Sequence, residues 1–560
     1  MRDRTISAYR GWAVLLLGGL LAACNMPRAQ ALAGQPPTPS LAAPTLTPTA
    51  TPVPLTYWTQ AGVPADLAAS ARKALEGAGF SAASSAEGTQ VQIVLNPPPD
   101  ARLVVQRVYA VVVPFPTVAD DISLADLKIL WQGGANTPAN FDSSPRVFAT
   151  ADVSATLEPL LGKAGAELVQ TDEAGLVDAA WNARPSLAIV PFDQLQPRWK
   201  VLSVDGKSPL DKTLDLSGYP LVVKIGAVAT SDAGQPGLSA ISASGGWQAT
   251  NRDTSKMVTL VMTGTTALTR ATGWFMDHHG VNFPAQNIMP FLADADILHV
   301  SNEVSFTPKC PPAQLTGDEK FCSSPTYFGL LKTIGVDVVE LTGNHNNDYG
   351  TAPDDYSLDL YDQANIPHFG GGRNTQDAET PRILTAPDGT KIGFVGCNTV
   401  GPFPAWATDK TPGAANCGDW AWIKAVIADL KSSHKADIVV TTLQYHELPQ
   451  YDPSAQQRAD FESLAAAGAD IVSGSQAHQP QGFSFASGKV IHFGVGNLFF
   501  DQMDYVQNRQ MFADKYILYQ GKVISLILFT GMNENWSQPR PMTSEERAAF
   551  LKIIFGASGW

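Results

Sequence analysis

The chain is poor in cysteine, in charge and in long apolar runs, and each scarcity closes off a class of function. It holds 5 cysteines in 560 residues. No two stand in a Cys-x-x-Cys spacing, which argues against a zinc ribbon or finger. Charged residues make up 16% of the chain, with 38 Lys and Arg against 52 Asp and Glu, a formal net charge of −14. No Lys/Arg cluster interrupts this acidic balance, so binding to a nucleic-acid backbone is not expected. The apolar run near the start, Trp12 to Leu21, is too short for a comfortable membrane span. Apolar residues, by contrast, are plentiful at 44%. That suits a globular chain able to bury cores, and the length suggests two to four domains.

Residues 1–23 read as a targeting segment. Arg2, Arg4 and Arg10 form a positive start, Trp12 to Leu21 an apolar middle, and Leu21-Ala22-Ala23-Cys24 follows. This ending resembles the bacterial lipobox, which implies cleavage before Cys24 and attachment of diacylglycerol to its thiol. An ordinary secretory peptide is the alternative. Either reading puts the mature chain outside the cytoplasm, anchored to the cell membrane as a lipoprotein in the first case. In that oxidising setting Cys310, Cys322, Cys397 and Cys417 read by default as two disulfides. Three connectivities exist, and the sequence-local pairs Cys310–Cys322 and Cys397–Cys417 are the favoured ones. Residues 24–55 are a Pro/Thr-rich stretch with almost no charge, a semi-extended spacer.

Residues 56–250 alternate helix and strand patterns, an α/β arrangement. Helical spacing runs from Ala65 to Ala78, from Ser123 to Trp131, from Val153 to Lys163 and around Gly175 to Trp181. Strand patterns cover Val91 to Leu95, Leu103 to Val113, Val147 to Thr150 and Ser186 to Val190. Two pieces, Val111-Val-Val-Pro-Phe-Pro with Trp131-Gln-Gly-Gly, and Ala188-Ile-Val-Pro-Phe-Asp-Gln-Leu, resemble the type 2 periplasmic-binding-protein fold of phosphate receptors. No Ser/Thr-Gly phosphate loop stands where that resemblance would put it. A structural copy and a working solute-binding module both stay open. Small residues from 226 to 255 read as a junction.

Residues 256–535 repeat strand, helix and strand, and residues 536–560 read as a helical tail. Polar residues cluster at strand ends, where open α/β sheets place their chemistry. The clearest is Leu341-Thr-Gly-Asn-His-Asn-Asn-Asp-Tyr-Gly350, which sets Asn344 beside His345, with Asp348 close behind. Late strands (483–485, 490–493 and 523–530) read as a second, more antiparallel sheet. Blander readings hold elsewhere. His278-His279 is expected in a solvated loop. Pro353-Asp354-Asp355 reads as a helix start with favourable charge. Trp420 and Trp422 fall on different faces of one helix, one in the core and one at its rim.

Six segments in order resemble the CapA family, the poly-γ-glutamate capsule biosynthesis proteins of the calcineurin-like metallophosphoesterase superfamily. They are Leu260 to Arg270, Ala293 to Glu303, Leu341 to Gly350, Gln444 to Glu447, Ala467 to Gln481 and Phe493 to Asp501. The resemblance implies a C-terminal four-layer α/β/β/α sandwich preceded by a smaller α/β domain. It also implies two divalent metals (Mn, Fe or Zn) held by Glu303, Asn344, His446 and His478, with His345 assisting at the leaving group. The sequence departs from the pattern at three places. The first-strand Gly-Asp is Gly264-Thr265, the first His of a final His-x-His is Gln476, and Ser301-Asn302-Glu303 shifts the acidic segment. Thr265, Asn302, Asp348, Gln476 and Asn497 are therefore expected to line or alter the site. Three functions stay open: a capsule or exopolymer protein whose metal site is degenerate, an active metal-dependent phosphoesterase, and an extracytoplasmic solute-binding module. The first implies the capsule machinery or an envelope polymer as partner.

Overall fold

The computed structural model describes residues 54–475 and 477–560. The lipobox with Cys24, most of the Pro/Thr-rich spacer, and Gln476 lie outside the described residues. No helix among the described residues is long and apolar enough to cross a membrane.

The first part of the fold hangs on one long strand, Leu103–Pro114. Its first half pairs antiparallel with Val222–Ala229, and its second half pairs antiparallel with Ser186–Pro191 and Trp199–Val204. A run of β-branched residues buried on both faces lets one strand serve two half-sheets. The flanking helices start where capping side chains stop the extended chain. Ser123 caps Leu124–Trp131, Thr150 caps Ala151–Leu161 and Asp172 caps Glu173–Asn182, each by accepting a backbone N–H. The small-residue stretch read as a junction is instead partly structural. It supplies the strand Val222–Ala229 and the helix Gln235–Ala243, whose Gly237 packs so closely on Leu75 and Val91 that a Cβ there would approach both to 2.8 Å. Small residues were serving close packing as well as turns.

The second part is two stacked sheets between two helical layers. One sheet runs His368–Phe369, Val338–Glu340, Ile297–Asn302, Met257–Thr266, Gln510–Tyr519, Lys522–Glu534, Gln538–Pro541, with Asn497–Phe499 joined to Met257–Thr266. The other runs Arg382–Thr385, Lys391–Asn398, Ile438–Gln444, Ile471–Gly474, Lys489–His492, Phe483–Ala486. Period-2 alternation sorts the side chains. Val258, Leu260 and Met262 meet Ile392, Phe394, Ile438 and Val440 between the sheets. Val261, Val300 and Val339 face the helices that carry Leu331, Leu358 and Tyr361. Val395, Val439 and Val472 face Ile423, Ile427, Phe461 and Leu464. This is a four-layer α/β/β/α sandwich.

The late strands do not form one antiparallel sheet. Phe483–Ala486 and Lys489–His492 extend the largely parallel second sheet, while Lys522–Glu534 pairs with Gln510–Tyr519 in the first. Gln520 (φ 51°) and Gly521 (φ 72°) make the tight hairpin turn, and the hairpin seals the open edge of Met257–Thr266. Periodicity marks a strand but does not say which sheet receives it. The tail forms the helix Ser544–Ala557, opened by a capping box between Thr543 and Glu546.

The two parts pack against each other. Phe115 lies edge-on to Phe483 and Phe555, at 5.3 and 5.9 Å between ring centres. Arg547 grips Asp120 at 2.8 Å, and Lys212 reaches Asp296 at 2.7 Å. Two disulfides, Cys310–Cys322 and Cys397–Cys417, each close a local loop, as suits an oxidising, extracytoplasmic setting.

Candidate functional site

The parallel strands of both sheets end on one face of the sandwich, and most of the residues singled out above sit there. Thr265 is at the end of Met257–Thr266. Gly264 precedes it because a Cβ at that position would fall 1.9 Å from the Gly496 carbonyl oxygen. The buried Thr265 hydroxyl donates to the Ser475 carbonyl at 2.6 Å. Ser475 in turn donates from its own hydroxyl to Glu340 Oε1 at 2.7 Å, and Gln444 Nε2 donates to Asn344 Oδ1 at 2.9 Å. Each bond crosses from one sheet to the other, so the mouth between the sheets is stitched by neutral donors.

Glu303 and His345 meet at this mouth. Glu303 is 1% exposed, and neither carboxylate oxygen has a hydrogen-bond partner; His345 Nε2 lies 3.6 Å from Oε1. His345 Nδ1 hydrogen-bonds Asp348 Oδ2 at 2.7 Å, and the Phe321 N–H donates to the same oxygen at 2.7 Å. The Phe321 ring lies 4.2 Å from the imidazole. Burial pulls the His345 proton affinity down, but the Asp348 bond and the charges of Glu303 and Asp348 hold it above its ordinary value.

The remaining expected residues have other surroundings. His478 shares a 2.8 Å bond with Asn497 Oδ1, and Asn497 Nδ2 returns to the His478 carbonyl. Asn302 Nδ2 turns to the Val304 carbonyl. His446 lies exposed past the strand end, its ring against the edge of Tyr445.

Two features escaped the sequence reading. His299 Nε2 and Glu340 Oε2 stand 3.3 Å apart, both at most 1% exposed, between the sheets. Burial raises the Glu340 pKa, yet His299 and the hydroxyls of Thr342 and Ser475 together hold it below its usual value. Arg270 pairs with Asp501 while its guanidinium lies 4.6 Å from the centre of the Phe321 ring and 5.1 Å from that of Phe500. Ionisable residues inside otherwise apolar strands were the available signal for the first.

Other readings shift. His278 and His279 end the helix Arg270–His279, stacked on Trp274 and Phe275, because the helix continues one turn past its apolar face. Trp420 precedes the helix Ala421–Ser432 in a left-handed conformation, and both it and Trp422 are half-buried. Asp354 does sit in the first turn of Thr351–Ala364, but burial pushes its carboxyl up to about 8, which mutes its charge.

Residues 259–502 match the profile of a family described as bacterial capsule synthesis protein PGA_cap. The capsule biosynthesis protein CapA of Bacillus anthracis is 23% identical over 298 residues, 52% of this chain and 71% of that one. The PGA biosynthesis protein CapA of Bacillus subtilis is 28% identical over 173 residues, 31% of this chain and 45% of that one. Over residues 259–502 the chain is similar to the CapA family. Likenesses among solved structures are remote. An ABC-type phosphate transport receptor from Vibrio cholerae aligns over 33% of this chain and 92% of its own at 10% identity and a TM-score of 0.27. TT1561 of Thermus thermophilus aligns over 47% and 99% at 8% identity and a TM-score of 0.27. Nothing further rests on these two.

At these strand ends most of the candidate ligand atoms are already hydrogen-bonded. A metal needs lone pairs that are free and convergent. Glu303 presents a buried carboxylate with neither oxygen hydrogen-bonded. Thr265 donates to a carbonyl and Asn344 Oδ1 is taken by Gln444, while the His478 bond to Asn497 engages Nδ1, as the second nitrogen of a ligating imidazole also would be. Among the described residues no three His, Cys, Asp or Glu side chains group as a metal site.

Proposed function

We propose that the chain is a lipid-anchored envelope protein of capsule or exopolymer synthesis, whose CapA domain binds or positions its partner rather than hydrolysing it through metals. The observation that carries this reading is the Thr265 hydroxyl on the Ser475 carbonyl. It fills with a hydrogen bond the place where the family resemblance puts a metal-binding carboxylate. The names of the two Bacillus relatives support the capsule role. The targeting segment and the two disulfides support the extracytoplasmic side of the membrane.

A second reading, hydrolytic turnover, draws support from the unpaired Glu303 carboxylate beside His345. The solute-receptor reading draws less. A cleft of the first part, about 610 Å³, is lined by Asp66, Asp152, Asp172, Glu173 and Asp193, and its Arg107 is engaged by Asp66 and Asp193. Such a cleft repels phosphate.

Complementation separates the first two. In a capsule-negative deletion strain, His345→Ala at normal protein level is expected to restore the capsule. Loss of capsule with the variant folded and abundant would favour turnover instead.

A further inference from the structure

Beside the strand-end cluster lies a separate pocket of about 440 Å³, lined by Glu447, Gln479, Gln502, Asp504, Tyr505 and Asn508 among others. That volume is within the roughly 300–1,000 Å³ typical of small-ligand sites. Three observations show a built site rather than a surface dent. Gln479 lines the pocket at only 5% exposure, and its Nε2 is buried without a hydrogen-bond partner, a state costing about 1–3 kcal/mol that a small rotation of the carboxamide towards a bound hydroxyl would relieve. The wall is held in place from behind. Asn508 Nδ2 donates to the His478 carbonyl and to Gln502 Oε1, both at 3.3 Å, and Asn497 Nδ2 donates to Gln502 Oε1 at 3.2 Å. At the rim the Tyr505 ring is 70% exposed.

We propose that this pocket binds a neutral sugar unit of an envelope glycan. Carboxamides both donate and accept, which matches hydroxyl groups that do the same, and carboxylates accept from hydroxyls. An exposed aromatic ring offers an apolar face to the C–H face of a pyranose, as amphipathic aromatic side chains do at wet interfaces. Glu447 and Asp504 lie in the wall and no Lys or Arg among the described residues lines it, so the pocket repels a polyanion such as poly-γ-glutamate. The inference goes beyond the capsule reading and does not depend on the fate of the metal site.

Saturation-transfer NMR on the full chain tests it, with chitotetraose, cellotetraose and maltotetraose as probes. Saturation is expected to pass to ring protons of at least one of the three. Tyr505→Ala, at an exposed position that the fold does not need, is expected to weaken that sugar at least tenfold. Gln479→Leu should do the same if it folds, and excess poly-γ-glutamate should leave the signal in place. The proposal is overturned if none of the three sugars binds, if Tyr505→Ala leaves affinity within twofold, or if poly-γ-glutamate displaces the sugar.

Discussion

Thr265 and Ser475, 210 residues apart in the chain, are joined by a 2.6 Å hydrogen bond from hydroxyl to carbonyl. Both groups are buried, so neither can turn to water if the other is lost. Thr265→Val keeps the shape and removes the donor. The expected cost is about 1–3 kcal/mol, the penalty of a buried carbonyl left unpaired, read as a fall in the urea midpoint. An unchanged midpoint would mean the bond contributes nothing.

The His299–Glu340 pair joins neighbouring strands of the first sheet, and its burial makes it expensive to break. Glu340→Leu strands the imidazole and takes the acceptor from the Thr342 hydroxyl, leaving Ser475 only the Leu443 carbonyl at 3.2 Å. Removing one partner of a buried pair costs about 3–5 kcal/mol. Denaturation at neutral pH checks this; a variant as stable as the parent would show the pair to be replaceable.

Asp354 sets a pH dependence whose sign follows from its burial. Its carboxyl is pushed up from 3.8 to about 8, chiefly by burial and secondarily by Asp355. Between those values the folded chain keeps a proton that the unfolded chain releases, so stability falls as pH rises through this window. Asp354→Asn has no proton to lose. It is expected to match the parent near pH 4 and exceed it in Tm at pH 8.5; parallel Tm curves would refute the assignment.

The loop closed by Cys310–Cys322 carries Phe321 onto His345. Cys310→Ser/Cys322→Ser is expected to cost roughly 3 kcal/mol, the loop-entropy scale for a ring of this size. It should also open residues 307–323 to proteolysis. Limited digestion followed by mass spectrometry reads the cleavage sites, and protection equal to the parent's would show that Phe321 holds the loop without the bridge.

How much of this was legible in the sequence depends on distance along the chain. The helix start at Ser123 could be read because a capping side chain bonds three residues ahead. The local disulfide pairs and the strand-end position of Asn344 and His345 were legible for the same reason. The Gly264-Thr265 departure was visible, but its consequence was not, since nothing in one segment names a carbonyl in another. His446 shows the reverse case. Its motif matched, yet the chain turns outward one residue earlier and leaves the ring in solvent. Residues 523–530 read as strand, whereas their hairpin partner Gln510–Tyr519 was not recognised. Only the free edge of Met257–Thr266 decides which sheet it joins.

The most direct test of a strand-end site without metals is metal content. The mature chain would be purified without chelator, reloaded with manganese, desalted and measured by inductively coupled plasma mass spectrometry. The expected result is no stoichiometric manganese, iron or zinc, unchanged in a His345→Ala/His478→Ala variant. About one or two ions per chain, lost in that variant while its fold persists, would contradict the account and restore a metal-dependent enzyme.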